Sequence, residues 1–306
     1  MKQLIVLAIA GLIAQLIDGS LGMGYGVTSS TVLLAAGLTP ATASASVHLA
    51  ELGTNIVSGF SHWKLKNVDW SLVVRLGFPG AIGSFAGATV LSRLSTEAAK
   101  PAMAIILAVL GVWIMSRFLV RPPREASNRV SPHGRLFLTP LGLVGGFVDA
   151  TGGGGWGPVS TTALISAGKT SPRTVIGSVD TSEFLVSAAA SLGFFIGLGS
   201  AGVKLTYVFA LLGGGLIAAP IAAWLVSRIP TAIMGPLVGG FIILSNLKVL
   251  YSSAGVAGDL RGPLTWAFVA IWAAAVAFSI RRNRNRPAEV VAERQPEPVA
   301  ESLSVA

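Results

Sequence analysis

Residues 151–158 read Thr-Gly-Gly-Gly-Gly-Trp-Gly-Pro and interrupt an apolar stretch that would otherwise make a simple membrane helix. Glycine in a helix interior costs roughly 1 kcal/mol relative to alanine. Pro158 suits the first turn of a new helix, where no backbone donor is lost. The helix is therefore predicted to stop here and restart. In hydrocarbon an unwound backbone persists only where protein or a water-filled cavity surrounds it. A restarting helix aims unpaired N–H groups and a positive dipole end into that space, which makes the break a candidate anion seat.

The same device stands near the N-terminus, where Asp18-Gly19-Ser20-Leu21-Gly22-Met23-Gly24-Tyr25-Gly26 follows an apolar run just as Asp149 precedes the later glycines. Asp18, Gly22, Gly24, Tyr25, Gly26, Gly37 and Thr39 precede Asp149, Gly153, Gly155, Trp156, Gly157, Gly168 and Thr170 at one constant offset. With one residue inserted, Ser46 and Glu51 face Ser178 and Glu183. Further on, Ser92-Arg93 matches Ser227-Arg228 and Pro101 matches Pro236. The drift falls in loops, where insertions belong.

Of 306 residues, 52% are hydrophobic and 11% charged, at a mean hydropathy of +0.72. That is more apolar surface than a soluble domain of this length buries, and it points to a polytopic membrane protein. The net charge of +9 sits between and after the apolar spans, as in cytoplasmic loops, so nucleic acid is not an expected partner. With no cysteine there is no disulfide, thiolate metal site or cysteine nucleophile. Leu4 to Ile17 could pass for a signal peptide, but it runs into the motif that is copied later and reads as mature structure.

In chain order, Leu4 to Asp18 and Val27 to Gly37 are expected half-helices around a break at Gly19 to Gly26, each short of the roughly 20 residues that span a bilayer. Ala41 to Ser61, Ser71 to Leu91 and Pro101 to Leu119 are the next spans. Trp63 and Trp70 mark a membrane interface around Lys64 and Lys66, and Gly80, Gly83 and Gly87 offer a small face for close packing. Leu136 to Gly168 repeats the broken element, followed by Pro172 to Leu198, Val203 to Val226 and Thr231 to Tyr251. Pro263 to Ile280 is an extra span. The expected organisation is a first transmembrane repeat (1–119), a basic cytoplasmic linker (120–135), a second repeat (136–255), a further helix (256–281) and a disordered cytoplasmic tail (282–306). If each broken element folds back, each half crosses three times and the second half lies inverted. Most arginines and lysines, the linker included, then fall on the side of the C-terminal tail, as the positive-inside tendency asks. A cysteine introduced at Ser127 that reacted only from outside the cell would overturn this orientation. The fold class is thus all-α: a polytopic transmembrane protein of two internal, inverted repeats with discontinuous, glycine-broken helices.

The two glycine motifs after Asp18 and Asp149, the internal repeat and the Thr39-Pro40 and Ser171-Pro172 hinges resemble the TauE/SafE family of sulfite exporters and related permeases over about residues 1–255. The resemblance implies a plasma-membrane carrier of small, mostly sulfur-containing anions. Met23 and Tyr25 make the first motif less glycine-dense than the family often shows.

The candidate substrate seat comprises Gly22, Gly24, Gly26, Thr28 and Ser29 from the first break and Gly153, Gly154, Gly155, Trp156, Gly157, Ser160 and Thr161 from the second. Hydroxyls in the first turn after each break, Ser30 among them, can donate to a sulfite or sulfonyl oxygen or simply bond between helices. Trp156 and Tyr25 can wall the seat or serve packing. Asp18, His48, Glu51, Asp149, Asp180 and Glu183 are the candidate coupling groups, because carboxylates inside a membrane are costly unless paired, protonated or used. Asp18 and Asp149 have a capping alternative. His48 and Glu51, like Asp180 and Glu183, share a helical face at a spacing of three, as an ion pair or proton relay in the first case and a like-charged pair in the second. Lys248 reads as a snorkelling residue.

These features describe a secondary transporter working by alternating access, with proton coupling as a hypothesis. Its partners are a small anionic substrate and the bilayer, and a homodimer is the candidate assembly; the C-terminus is expected to be cytoplasmic. An anion channel is the first rival. An intramembrane enzyme is the second, opposed by the absence of any Ser/His/Asp or metal-ligand spacing around His48, His62 and His133. No cofactor is expected, and without a Gly-Lys-Ser/Thr the glycines are not a nucleotide loop.

Overall fold

The computed structural model describes residues 2–21, 23–120, 128, 130–167, 169–199, 203–225 and 231–284. Gly22, Gly168, Ser227, Arg228, most of the basic linker (121–127 and 129) and the tail from 285 lie outside the described residues, together with the expectations placed on them. The regular elements among the described residues are all helices, with no strand among them. In order they form α1 (Lys2–Leu21), α2 (Tyr25–Ala35), α3 (Pro40–Lys64), α4 (Trp70–Arg93), α5 (Thr96–Val120), α6 (Arg135–Gly152), a π-helical turn (Gly157–Thr161), α7 (Thr162–Ala167), α8 (Pro172–Leu198), α9 (Leu205–Leu225), α10 (Thr231–Ser253) and α11 (Gly258–Arg284). Among the described residues, α4, α5, α8, α10 and α11 carry stretches long and apolar enough to cross a membrane.

Local chemistry sets the starts. The Thr39 and Ser171 side chains accept the backbone N–H of Thr42 and Thr174, each at 3.3 Å, with Pro40 and Pro172 in the first turn. This is the N-cap-plus-proline arrangement that the two hinges encode. Asp69 caps α4 through Ser71 at 3.0 Å and Leu72 at 3.2 Å. Its other oxygen accepts Ser131 N–H at 2.8 Å, and Arg75 donates to the His133 carbonyl at 2.7 Å. The chain leading into α6 is thereby fastened to the start of α4. Sequence reasoning singled out neither Asp69 nor Arg75 for this.

Two boundaries differ from expectation. The first helix does not stop at Asp18 but runs to Leu21, and Tyr25 and Gly26 already belong to α2, so the break is narrower than Gly19 to Gly26. One glycine at position 19 costs only about 1 kcal/mol, too little to unwind a helix whose backbone has no water to turn to. The 20 residues of α1 rise about 30 Å at about 1.5 Å each, although its apolar stretch, Leu4–Asp18, is shorter than the segments able to span. The second break is sharper: α6 ends at Gly152, and Gly153 (φ 69°) and Gly154 (φ 138°) adopt backbone conformations that L side chains rarely do.

Each short helix turns back on the one before it. Leu33 and Leu38, at the end of α2, share a core with Leu7 near the start of α1. Leu164 and Ile165 of α7 share one with Leu138 near the start of α6. Around them α1 packs along α9, α6 along α4, α3 against α8 and α5 against α10. Glycines permit the closest approaches. A Cβ on Gly83 would fall on the backbone of Leu143, one on Gly87 would lie 2.7 Å from the Phe147 carbonyl oxygen, and one on Gly214 would fall on the backbone of Ala8. With no hydrophobic drive between helices in lipid, such backbone proximity is what holds them. Gly83→Leu is expected to destabilise the purified protein by about 1–3 kcal/mol or more through overpacking. Gly213→Leu, where nothing lies within 4 Å of the added Cβ, is expected to melt like wild type. Thermal melts in detergent make the comparison.

Phe78, Ile82, Val109, Phe209 and Trp266 lie on the outside, where lipid would cover them. α11 touches the bundle mainly through α10, with the Trp272 indole donating to the Pro236 carbonyl at 2.8 Å.

Candidate functional site

Both breaks close on the acid that precedes them. Asp149 Oδ1 accepts the N–H groups of Gly155 at 2.7 Å and Trp156 at 2.9 Å, and Asp18 Oδ1 accepts that of Tyr25 at 3.3 Å. These are the orphan donors that begin a helix, and the chain's own carboxylates hold them. Of the two readings of these acids, capping is the contact seen directly. The leading amides of Tyr25, Gly155 and Trp156 are therefore held by the protein itself.

The two breaks also meet. A Cβ on Gly26 would lie 2.5 Å from Gly154 Cα and 3.0 Å from Glu51 Oε1. The Ser30 hydroxyl donates to the Gly153 carbonyl. Thr162 Oγ1 lies 3.8 Å from the Met23 sulfur, and the Ser44 hydroxyl donates to the Ala150 carbonyl at 2.7 Å. Of the predicted seat residues, Gly24, Gly26, Thr28, Ser29, Gly153, Gly154, Gly155, Trp156, Gly157, Ser160 and Thr161 are all buried here, and Gly22 lies outside the described residues. The hydroxyls of Thr28, Ser29 and Ser160 have no hydrogen-bond partner among the described residues. Trp156 faces elsewhere: its indole donates to the Val179 carbonyl at 3.1 Å and to Ser182 Oγ at 3.2 Å, and its ring covers Gly80. It is a wedge between α4 and α8.

The six candidate coupling residues converge next to this meeting point. His48 Nδ1 lies 2.9 Å from Glu51 Oε2 and 3.7 Å from Asp149 Oδ2, and its ring stacks with that of Phe194. The Ser187 hydroxyl donates to Glu51 Oε2 at 3.0 Å. Asp18, Asp180 and Glu183 form a second group, with one oxygen of each within 4.8 Å of the others. Ser187 escaped sequence reasoning, although Asp180, Glu183 and Ser187 make a polar stripe at helical spacing along an otherwise apolar α8. Asn246, also unflagged, donates to Thr31 at 3.3 Å and ties α10 to α2. Lys248 is exposed.

A bundle of apolar helices that hides two meeting chain breaks and a set of ionisable groups has the build of a membrane transport protein. The chain belongs to the family described as Sulfite exporter TauE/SafE, which matches residues 7–249 and leaves α11 beyond the match. It is 50% identical over 287 residues to the Probable membrane transporter protein YtnM of Bacillus subtilis (strain 168), an alignment covering 94% of this chain and 95% of that protein. No solved structure matches the chain. The protein is thus a multi-pass membrane transporter.

Proposed function

We propose that the protein is a secondary transporter of a small anion, sulfite or an organosulfonate, that works by alternating access around the meeting point of the two breaks. The observation that carries this reading is the contact of Gly26 with Gly154 beneath unpartnered buried hydroxyls, Thr28, Ser29 and Ser160. Donors without partners in a dry site are costly to keep unless a guest uses them. The printed name of the family points to sulfite.

The packing supports two related, inverted halves. α1 lies on α9 as α6 lies on α4, while α3 meets α8 and α5 meets α10, which is the exchange a two-fold axis produces. The fold-back of α2 and α7 is consistent with an odd number of crossings per half, and in this reading the C-terminal tail and the linker share one side, the cytoplasmic side of the plasma membrane. Five buried carboxylates beside the seat repel an anion unless they are neutralised, so anion loading is coupled to uptake of positive charge at those acids. A channel would need no such charge change.

A thermal-shift screen of purified protein against sulfite, sulfate, thiosulfate, sulfoacetate and taurine is expected to raise the melting temperature with sulfite or a sulfonate. Proteoliposomes loaded with that ligand are expected to show saturable counterflow. Flux that rises linearly with concentration and shows no counterflow would mean a channel.

A further inference from the structure

Three carboxylates from distant parts of the chain share one buried space. Asp18 of α1 and Asp180 and Glu183 of α8 are 5%, 5% and 8% exposed, and one oxygen from each lies within 4.8 Å of the other two. Like charges this close, out of water, require positive charge among them. Two buried carboxylate oxygens here lack a partner, and the one in the trio points to a ligand. Asp180 Oδ2 has no hydrogen-bond partner among the described residues. Nor has Oε1 of Glu51, which stands outside the trio on α3 beside Gly26 and is 1% exposed. The other Glu51 oxygen is already committed to His48 and Ser187. The other groups that act on Asp180 include Ser58 and His62, and Tyr25 donates its backbone N–H to Asp18 at 3.3 Å.

We propose that Asp18, Asp180 and Glu183 bind a small hard cation of the sodium, magnesium or calcium type. An all-oxygen donor set of carboxylates selects such ions over softer metals. The sequence offers no metal-ligand spacing because one of the three acids comes from the other half of the chain. Asp18 also caps α2, so an ion here is one contact away from the break at Gly24. A role as coupling ion rests on the transport reading given above; the binding itself does not.

Isothermal titration of the full-length protein in nanodiscs, at constant ionic strength with N-methylglucamine chloride as background, tests the site with NaCl, KCl, MgCl2 and CaCl2 and no anionic substrate. At least one of these cations is expected to bind saturably. Glu183→Gln and Asp180→Asn, each removing one ligand charge, are expected to weaken it about tenfold or more. Glu97→Gln, at an exposed acid in the first turn of α5, is expected to leave it unchanged. Circular dichroism and melting curves confirm that each variant is folded. No saturable binding of any of the four ions to folded wild type, or affinity unchanged in both site variants, overturns the proposal. Cation binding without saturable anion counterflow would instead retain the site and remove the transport reading.

Discussion

Gly154→Ala is expected to leave almost no folded, transport-competent protein, an effect larger than any other single methyl addition to this chain should have. Two independent penalties meet at this position. Its φ of 138° lies where an L residue is strained, and a Cβ there would overlap the backbone of Gly26 and Val27, which cannot rotate aside as a side chain can. Gly37 separates the two penalties, since its φ is 91° and nothing lies within 4 Å of an added Cβ. Gly37→Ala should therefore cost only the conformational term, about 1–2 kcal/mol. Gly154→Ala should exceed about 4 kcal/mol, the range reserved for changes with a specific structural cause. Melting curves and yield of monodisperse protein for the two variants decide the matter. If they are indistinguishable, the breaks do not touch as described, and the proposed seat goes with them.

That contact marks how far the sequence could be read. Glycine runs, the Thr39-Pro40 and Ser171-Pro172 hinges and the apolar spans are local signals, so helix order and the position of the second break were legible. The span from Pro172 to Leu198 is found as expected. The first break is narrower than the glycine spacing suggests, because a single glycine weakens a helix too little to open it. Inside a bilayer the helix persists to Leu21 and yields only near Met23 and Gly24. The i, i+3 pairs His48–Glu51 and Asp180–Glu183 were legible as shared faces. Their partners were not: Asp149 beside His48, Ser187 on Glu51 and Asp18 between Asp180 and Glu183 depend on which helices lie together. A repeat at constant offset suggests that corresponding elements are alike, but it does not say that α1 lies on α9 or that Trp156 turns away from the break to cover Gly80.

The second large effect is expected at His48, which lies against two of the acids. It is fully buried between Glu51 at 2.9 Å and Asp149 at 3.7 Å. Removing one partner of a buried ionic pair typically costs about 3–5 kcal/mol, because the other is left without compensation in a low-dielectric surround. His48→Leu should fall in that range, and it should reach the second break as well, since Asp149 carries the Gly155 and Trp156 amides on its other oxygen. Glu51→Gln should cost less, because an amide oxygen can still accept from Ser187. The informative variant is the double, His48→Leu with Glu51→Gln. Once the imidazole is gone, the glutamate is a liability, and neutralising it should restore part of the loss. The cycle is expected to show a coupling energy of about 0.5–3 kcal/mol, as for residues in one hydrogen-bonded network. Strict additivity of the two changes in stability would mean that His48 is held by Asp149 and by its stacking on Phe194, and not by Glu51.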